Sequence, residues 1–156
     1  MIRDRNTVLP KYVLFDWSDA VKPTGNAQYQ SWRWFLPRGL LEDYRYCTLE
    51  SVSYQQSNYT TTPLYLALSI VELGGKNFDS THLEPNMAVT WLVPNVVTDP
   101  QAQSWNNMGA NEYYVDIDGM DLQQFSFTFG DETLTPLTVI GSPSGFYFYM
   151  VCKFWN

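Results

Sequence analysis

Between Tyr113 and Phe129 the chain alternates twice. Tyr113, Val115 and Ile117 stand against Tyr114, Asp116 and Asp118; after an Asp118-Gly119 step, Phe125, Phe127 and Phe129 stand against Ser126 and Thr128. A period of two puts one set of side chains on a buried face and the other on a wet one. The pattern therefore predicts two antiparallel strands closed into a hairpin by a short polar turn. The Phe row needs an opposing apolar layer, which other strands must supply.

The same reading carries along the rest of the chain. Residues 1–11, with Arg, Asp, Asn and Pro10, show no periodicity and form a short N-terminal arm. Tyr12 to Trp17 is a first strand, and Pro23 and Gly25 mark a loop after it. Gln30 to Leu36 sets Trp32 and Trp34 against Arg33 and Phe35, a second strand with one wet face that Pro37 and Gly39 end. Gly39 to Tyr44 predicts one turn of helix. Arg45 to Gln55 is strand-like, and Ser57 to Pro63 is a polar connection. Leu64 to Leu73 fits a helix by composition and a strand by spacing (Leu64, Leu66, Leu68, Ile70); the neighbouring strands decide for strand. Ala88 to Val93 is another strand, between long loops at 74–86 and 98–110. Leu137 to Ile140 and Phe146 to Trp155 complete the set. The last strand is apolar on both faces, so it belongs at the centre of a sheet, away from the edges.

About eight strands with no βαβ rhythm predict an all-β sandwich or closed barrel. At 156 residues the chain fits one domain with a substantial core. Aromatics make up 17% of residues and charges 16%, which excludes a disordered chain and leaves more ring surface than one small core needs. Such a surplus fits surface that a partner covers and, equally, a core that is merely rich in aromatics.

Net charge is −7 and uneven. Beyond residue 50 only Lys76 and Lys153 stand against ten acids, and Met1 to Arg5 offers two Arg and one Asp. An acidic body repels phosphate backbones, so direct nucleic-acid binding is not expected. No apolar run approaches the roughly 18 residues of a membrane span, and no signal peptide follows Met1. Cys47 and Cys152, each in a strand-like segment, are expected as buried thiols instead of a disulfide. The sequon Asn58-Tyr59-Thr60 matters only in a secretory pathway.

Few residues suggest chemistry. His82 is the only histidine and has no nucleophile motif beside it, so neither a catalytic triad nor a zinc site is expected, and no cofactor is implied. Asp116, Asp118 and Asp121 bracket the Gly119 turn and offer oxygen ligands for calcium, but the EF-hand pattern is absent; a solvated strand end with an Asx-type turn is the reading preferred here. Asp131-Glu132 reads as hairpin-turn polarity. Of the tryptophans, Trp32, Trp34 and Trp91 are expected in the core, while Trp105, in the 98–110 loop, is the candidate platform for stacking a sugar.

The order of features then becomes specific. QSWRWFLP leads through LESVSYQQSNYTTTPLYLALSIVELGG to VTWLVPNV; DIDGMDLQQFSFTFGDETLTPL follows, and GFYFYMVCKFW closes the chain. Over residues 30–156 this resembles the single jelly-roll capsid proteins, in particular the penton and minor capsid proteins that accompany double jelly-roll shells in tailless DNA viruses. The resemblance implies a single jelly-roll domain over 12–156 and a structural, non-enzymatic virion subunit. A pentamer working with other capsid proteins is the assembly it favours. The alternatives are a trimeric TNF/C1q-like or fibre-head receptor-binding module and a carbohydrate-binding module.

Overall fold

The computed structural model describes residues 8–22, 31–55, 65–75, 89–94, 103–106, 114–130, 133 and 147–156. Their regular elements are strands: β1 (Lys11–Asp16), β2 (Ser31–Phe35), β3 (Tyr46–Gln55), β4 (Tyr65–Ile70), β5 (Val89–Pro94), β6 (Gln103–Asn106), β7 (Val115–Asp116), β8 (Gln124–Gly130) and β9 (Tyr147–Trp155), with short 3-10 turns at Trp17–Asp19 and Glu72–Gly75. They form two antiparallel sheets. One runs β1-β9-β3-β6, with β7 also on β3; the other runs β2-β8-β4-β5. The fold is all-β, as the periodicity required.

The pairings are nested. Among the described strands β1 pairs with β9, β2 with β8, β3 with β6 and β4 with β5. Pairings of β9 with β3 and of β8 with β4 join these pairs into the two sheets.

The apolar phase of each strand faces the other sheet. Phe15, Phe148 and Phe154 come from the first sheet, and Trp32, Trp34, Phe125 and Phe127 from the second; all are buried. Trp32 and Phe127 are register partners whose rings stack 5.2 Å apart at 8°. Phe148 reaches across to both, at 4.8 and 4.9 Å, while Phe15 contacts Trp34 at 5.4 Å and Phe125 at 5.0 Å. Such ring pairs contribute about 0.5–1.5 kcal/mol each beyond the area they bury. The indole Nε1 of Trp34 donates to the Asp16 carbonyl at 2.7 Å, so the polar atom it brings into the core is satisfied. Trp32, Trp34 and the Phe125–Phe127 row therefore sit where alternation put them, and Phe35, on the opposite phase, is 62% exposed. The side chains of Trp91 and Phe129, the predicted strand at 137–140 and the Asp131-Glu132 turn lie outside the described residues.

β9 is central, between β1 and β3. Phe148, Met150, Cys152 and Phe154 are fully buried on its inner face. Cys47 and Cys152 are free, buried thiols on adjacent strands. Burial first, and then the neighbouring Cys152, pushes the Cys47 thiol well above its ordinary pKa.

Four expectations are corrected. The Tyr113–Phe129 segment is not a hairpin: β7 pairs with β3 in one sheet, and β8 lies in the other. The Asp118-Gly119 turn is present, with Met120 N–H donating to the Ile117 carbonyl and Gly119 at φ 72°, a conformation that favours glycine. It sends the chain across the sandwich, a gap of roughly 10 Å that the residues from 118 to 123 span easily. Second, the loop expected over 98–110 contains β6, which extends the β3 edge. Third, Gly39 to Tyr44 is not helical. Three successive i→i+3 bonds (Leu40 to Pro37, Glu42 to Gly39, Tyr44 to Leu41) with Gly39 at φ 77° make it a chain of turns. Last, Lys11 belongs to β1, one residue earlier than the arm was expected to end.

β3 also holds a phase change. Cys47 and Leu49 face the core, and so do Val52 and Tyr54. Odd and even positions share one face only because a bulge inserts Glu50 between the pairs Leu49–Cys152 and Ser51–Val151. Deleting Glu50 removes the inserted residue and leaves Leu49, Val52 and Tyr54 in ordinary alternation, so the deletion is expected to keep Val52 and Tyr54 inward and to unfold cooperatively by circular dichroism, as is Glu50→Ala; loss of the transition on deletion would show that the bulge itself is needed.

The buried thiol gives a second expectation. The folded chain holds Cys47 neutral while the unfolded chain ionises near the thiol's ordinary value of 9.0. This contribution is complete below that pH and is lost as pH rises above it, at about 1.4 kcal/mol per pH unit. In urea titrations between pH 8 and 10.5, the decline in stability should be shallower by about one proton in Cys47→Ala than in the wild type.

Candidate functional site

The outward faces of the two sheets differ. On the β2-β8-β4 sheet the outer positions are largely polar, and Glu72 binds them together: its carboxylate accepts from Ser126 N–H (2.6 Å), Ser126 Oγ (2.5 Å) and Gln124 Nε2 (3.0 Å). The β1-β9-β3 sheet instead shows apolar and aromatic side chains to solvent. Tyr12 and Leu14, on β1, are 57% and 59% exposed, and Tyr149, on β9, is exposed beside them. Register places Leu14 opposite Val151 and Asp16 opposite Tyr149, so these residues form one strip.

At the end of that face, three segments bring rings together. Tyr46 opens β3, Trp155 ends β9 and Tyr114 precedes β7; Tyr46 pairs with Trp155 on one side and Asp116 on the other. Their inward neighbours Cys47, Phe154 and Val115 are buried, which forces Tyr46, Trp155 and Tyr114 onto the outer face. The ring centroids lie 5.1 Å apart for Tyr46–Tyr114 (77°), 5.7 Å for Tyr46–Trp155 (40°) and 6.1 Å for Tyr114–Trp155 (71°). Two cations border them: Arg45 lies 5.1 Å from the Tyr46 ring centre and Lys153 lies 5.5 Å from that of Trp155. Arg45 also stands 3.8 Å from Asp116, too far for a hydrogen bond, with both side chains about half exposed.

Asp116, Asp118 and Asp121 lie in the segment that follows. The Asp116 carboxylate accepts from Asp118 N–H at 2.9 Å, the Asx-type turn read from the sequence, and Asp121 accepts from Gln123 Nε2 at 2.7 Å. The three carboxylates are not brought together: among the described residues no three His, Cys, Asp or Glu side chains form a metal-binding group. Trp105 is not in a loop. It is on β6, paired with Val52, and packs partly buried against the core. His82 and the sequon lie outside the described residues.

Two surface depressions are formed by described residues, of about 220 Å³ between Leu41, Glu42, Ile117, Gly119, Met120 and Asp121 and about 210 Å³ beside Lys22, Arg33, Ser126 and Thr128. Both fall short of the roughly 300 Å³ at which small-molecule sites begin. Among the described residues no helix is long and apolar enough to cross a membrane.

The ring cluster had a signal in the sequence that alternation alone does not reveal. Tyr46, Tyr114 and Trp155 each occupy the outward phase of a strand-like segment, where a polar residue is usual. What the pattern lacked was the register that makes them neighbours.

No family model matches this sequence, and no curated protein matches it. Among solved structures the chain is similar to one in the X-ray structure of tomato aspermy virus, with 10% sequence identity and a TM-score of 0.31 over 94% of this chain and 78% of that one. At that level of overlap, fold and function rest on the strands and side chains themselves.

Because Asp116 is committed to the Asp118 amide and faces Arg45, calcium is expected to leave the melting temperature unchanged, with or without EDTA. A rise that EDTA reverses would restore the calcium reading of Asp116, Asp118 and Asp121.

Proposed function

We propose that the chain is a single jelly-roll structural subunit of a virus particle, a penton or minor capsid protein without catalytic activity, with the residues before β1 as an arm and the rest as one domain. The observation that carries this reading is the nested pairing of β1 with β9, β2 with β8, β3 with β6 and β4 with β5. With the two-residue β7 set aside, eight strands paired in this way in two sheets suit a jelly roll. It joins the resemblance carried by QSWRWFLP, DIDGMDLQQFSFTF and GFYFYMVCKFW.

Two further features support a subunit of a larger assembly. The strip of Tyr12, Leu14 and Tyr149 presents apolar surface of the kind that symmetric contacts cover. The net charge of −7 suits a vertex or cementing position, with another protein forming most of the shell and no direct contact to nucleic acid.

Native mass spectrometry of the full chain tests the reading. Five copies are expected. Three copies would replace the vertex ring with a trimeric receptor-binding module, and a monomer at all concentrations would sink both. Leu14→Asp with Tyr149→Asp should lower the copy number while leaving the circular dichroism spectrum unchanged.

A further inference from the structure

We propose that the cluster of Tyr46, Tyr114 and Trp155, with Arg45, Lys153 and Asp116 at its rim, is a carbohydrate-binding surface. The residues come from β3, the approach to β7 and the end of β9, and the pairing of Tyr46 with both Trp155 and Asp116 holds them side by side. The backbone beneath is anchored by buried Cys47, Val115, Ile117 and Phe154, so the rings stand on rigid strands. Tyr114 is 54% exposed.

The rim decides the occupant. Among the described residues the Arg45 guanidinium makes no hydrogen bond; its contacts are the Tyr46 ring at 5.1 Å and Asp116 at 3.8 Å. Lys153 contacts the Trp155 ring at 5.5 Å. An apolar partner laid over the rings would bury these charges without hydrogen-bond partners, which is costly. A simple anion would be drawn by Arg45 and Lys153 but repelled by Asp116, and would make no use of the rings. A sugar satisfies all of them: its apolar C–H face stacks on an aromatic ring, and its hydroxyls donate to the Asp116 carboxylate and accept from Arg45 and Lys153. Among the described residues the surface is open, without an enclosing pocket, so single-site binding is weak.

The test is a panel of immobilised neutral and sialylated oligosaccharides probed with the full chain, followed by saturation-transfer NMR on any oligosaccharide retained. The expected result is retention of at least one glycan, with at least a tenfold loss of affinity in Tyr114→Ala and in Arg45→Met. Both substitutions are at exposed positions and should leave the melting temperature in place. Trp105→Ala, on β6, should keep binding. A wild-type chain that retains no glycan overturns the proposal, as does binding that survives both Tyr114→Ala and Arg45→Met. Copy number is measured on the same sample, so failure here is read separately from failure of the subunit reading.

Discussion

The stack of Trp32 on Phe127, with Phe148 lying against both, is the contact on which the molecule depends. Trp32 and Phe127 are cross-strand partners within one sheet, and Phe148 comes from the middle of the other. One three-ring contact therefore sets the register of β2 on β8 and the distance between the sheets. A one-residue slip of β2 would turn Trp32 and Trp34 to solvent and bring Arg33 and Phe35 inward, replacing a stacked indole with a charge. The structure tolerates little variation here because interiors pack at crystal-like density.

The central position of β9 follows from the same constraint. A strand with phenylalanines and a methionine on its inner phase and Tyr149, Val151 and Trp155 on its outer phase has no fully wet face, so edges suit it poorly. Lodged between β1 and β3, it lends its inner face to the ring layer and its outer face to the strip beside Tyr12 and Leu14. The bulge at Glu50 serves this arrangement. β3 must follow β9 for nine paired positions while keeping Cys47, Leu49, Val52 and Tyr54 all inward, and one inserted residue achieves it. The acidic chain keeps Arg45 and Lys153 at the end of the resulting face, against rings, so core packing and the polar character of the surface meet on the same strands.

Much of this was legible before any coordinates. Strand positions followed from alternation at Tyr12–Trp17, Gln30–Leu36 and Phe146–Trp155, and the choice of strand over helix at Leu64–Leu73 followed from its neighbours. The buried Trp32 and Trp34 and the reduced Cys47 and Cys152 were likewise readable from local pattern and composition. The Asx turn at Asp116 was readable because it involves atoms two residues apart. β6 was missed because Gln103 to Asn106 has too few apolar residues to show a period; it is a strand because the β3 edge beside it supplies hydrogen-bonding partners. The helical turn at Gly39–Tyr44 failed for a related reason, since a six-residue stretch opening on glycine has no length over which helix formation becomes cooperative.

By itself, then, the sequence determined which residues turn inward, because a side chain's face is set by its own strand's pleat. Tertiary structure alone decided which strands became neighbours. Val115 and Phe125 both face the core, yet they lie in opposite sheets. An inward-facing period of two is satisfied equally by a hairpin and by two strands facing each other across the sandwich. The same holds for Tyr46, Tyr114 and Trp155: each is visibly out of place on a wet phase, but only the pairing of β3 with β7 and β9, fixed by contacts far along the chain, makes them one surface.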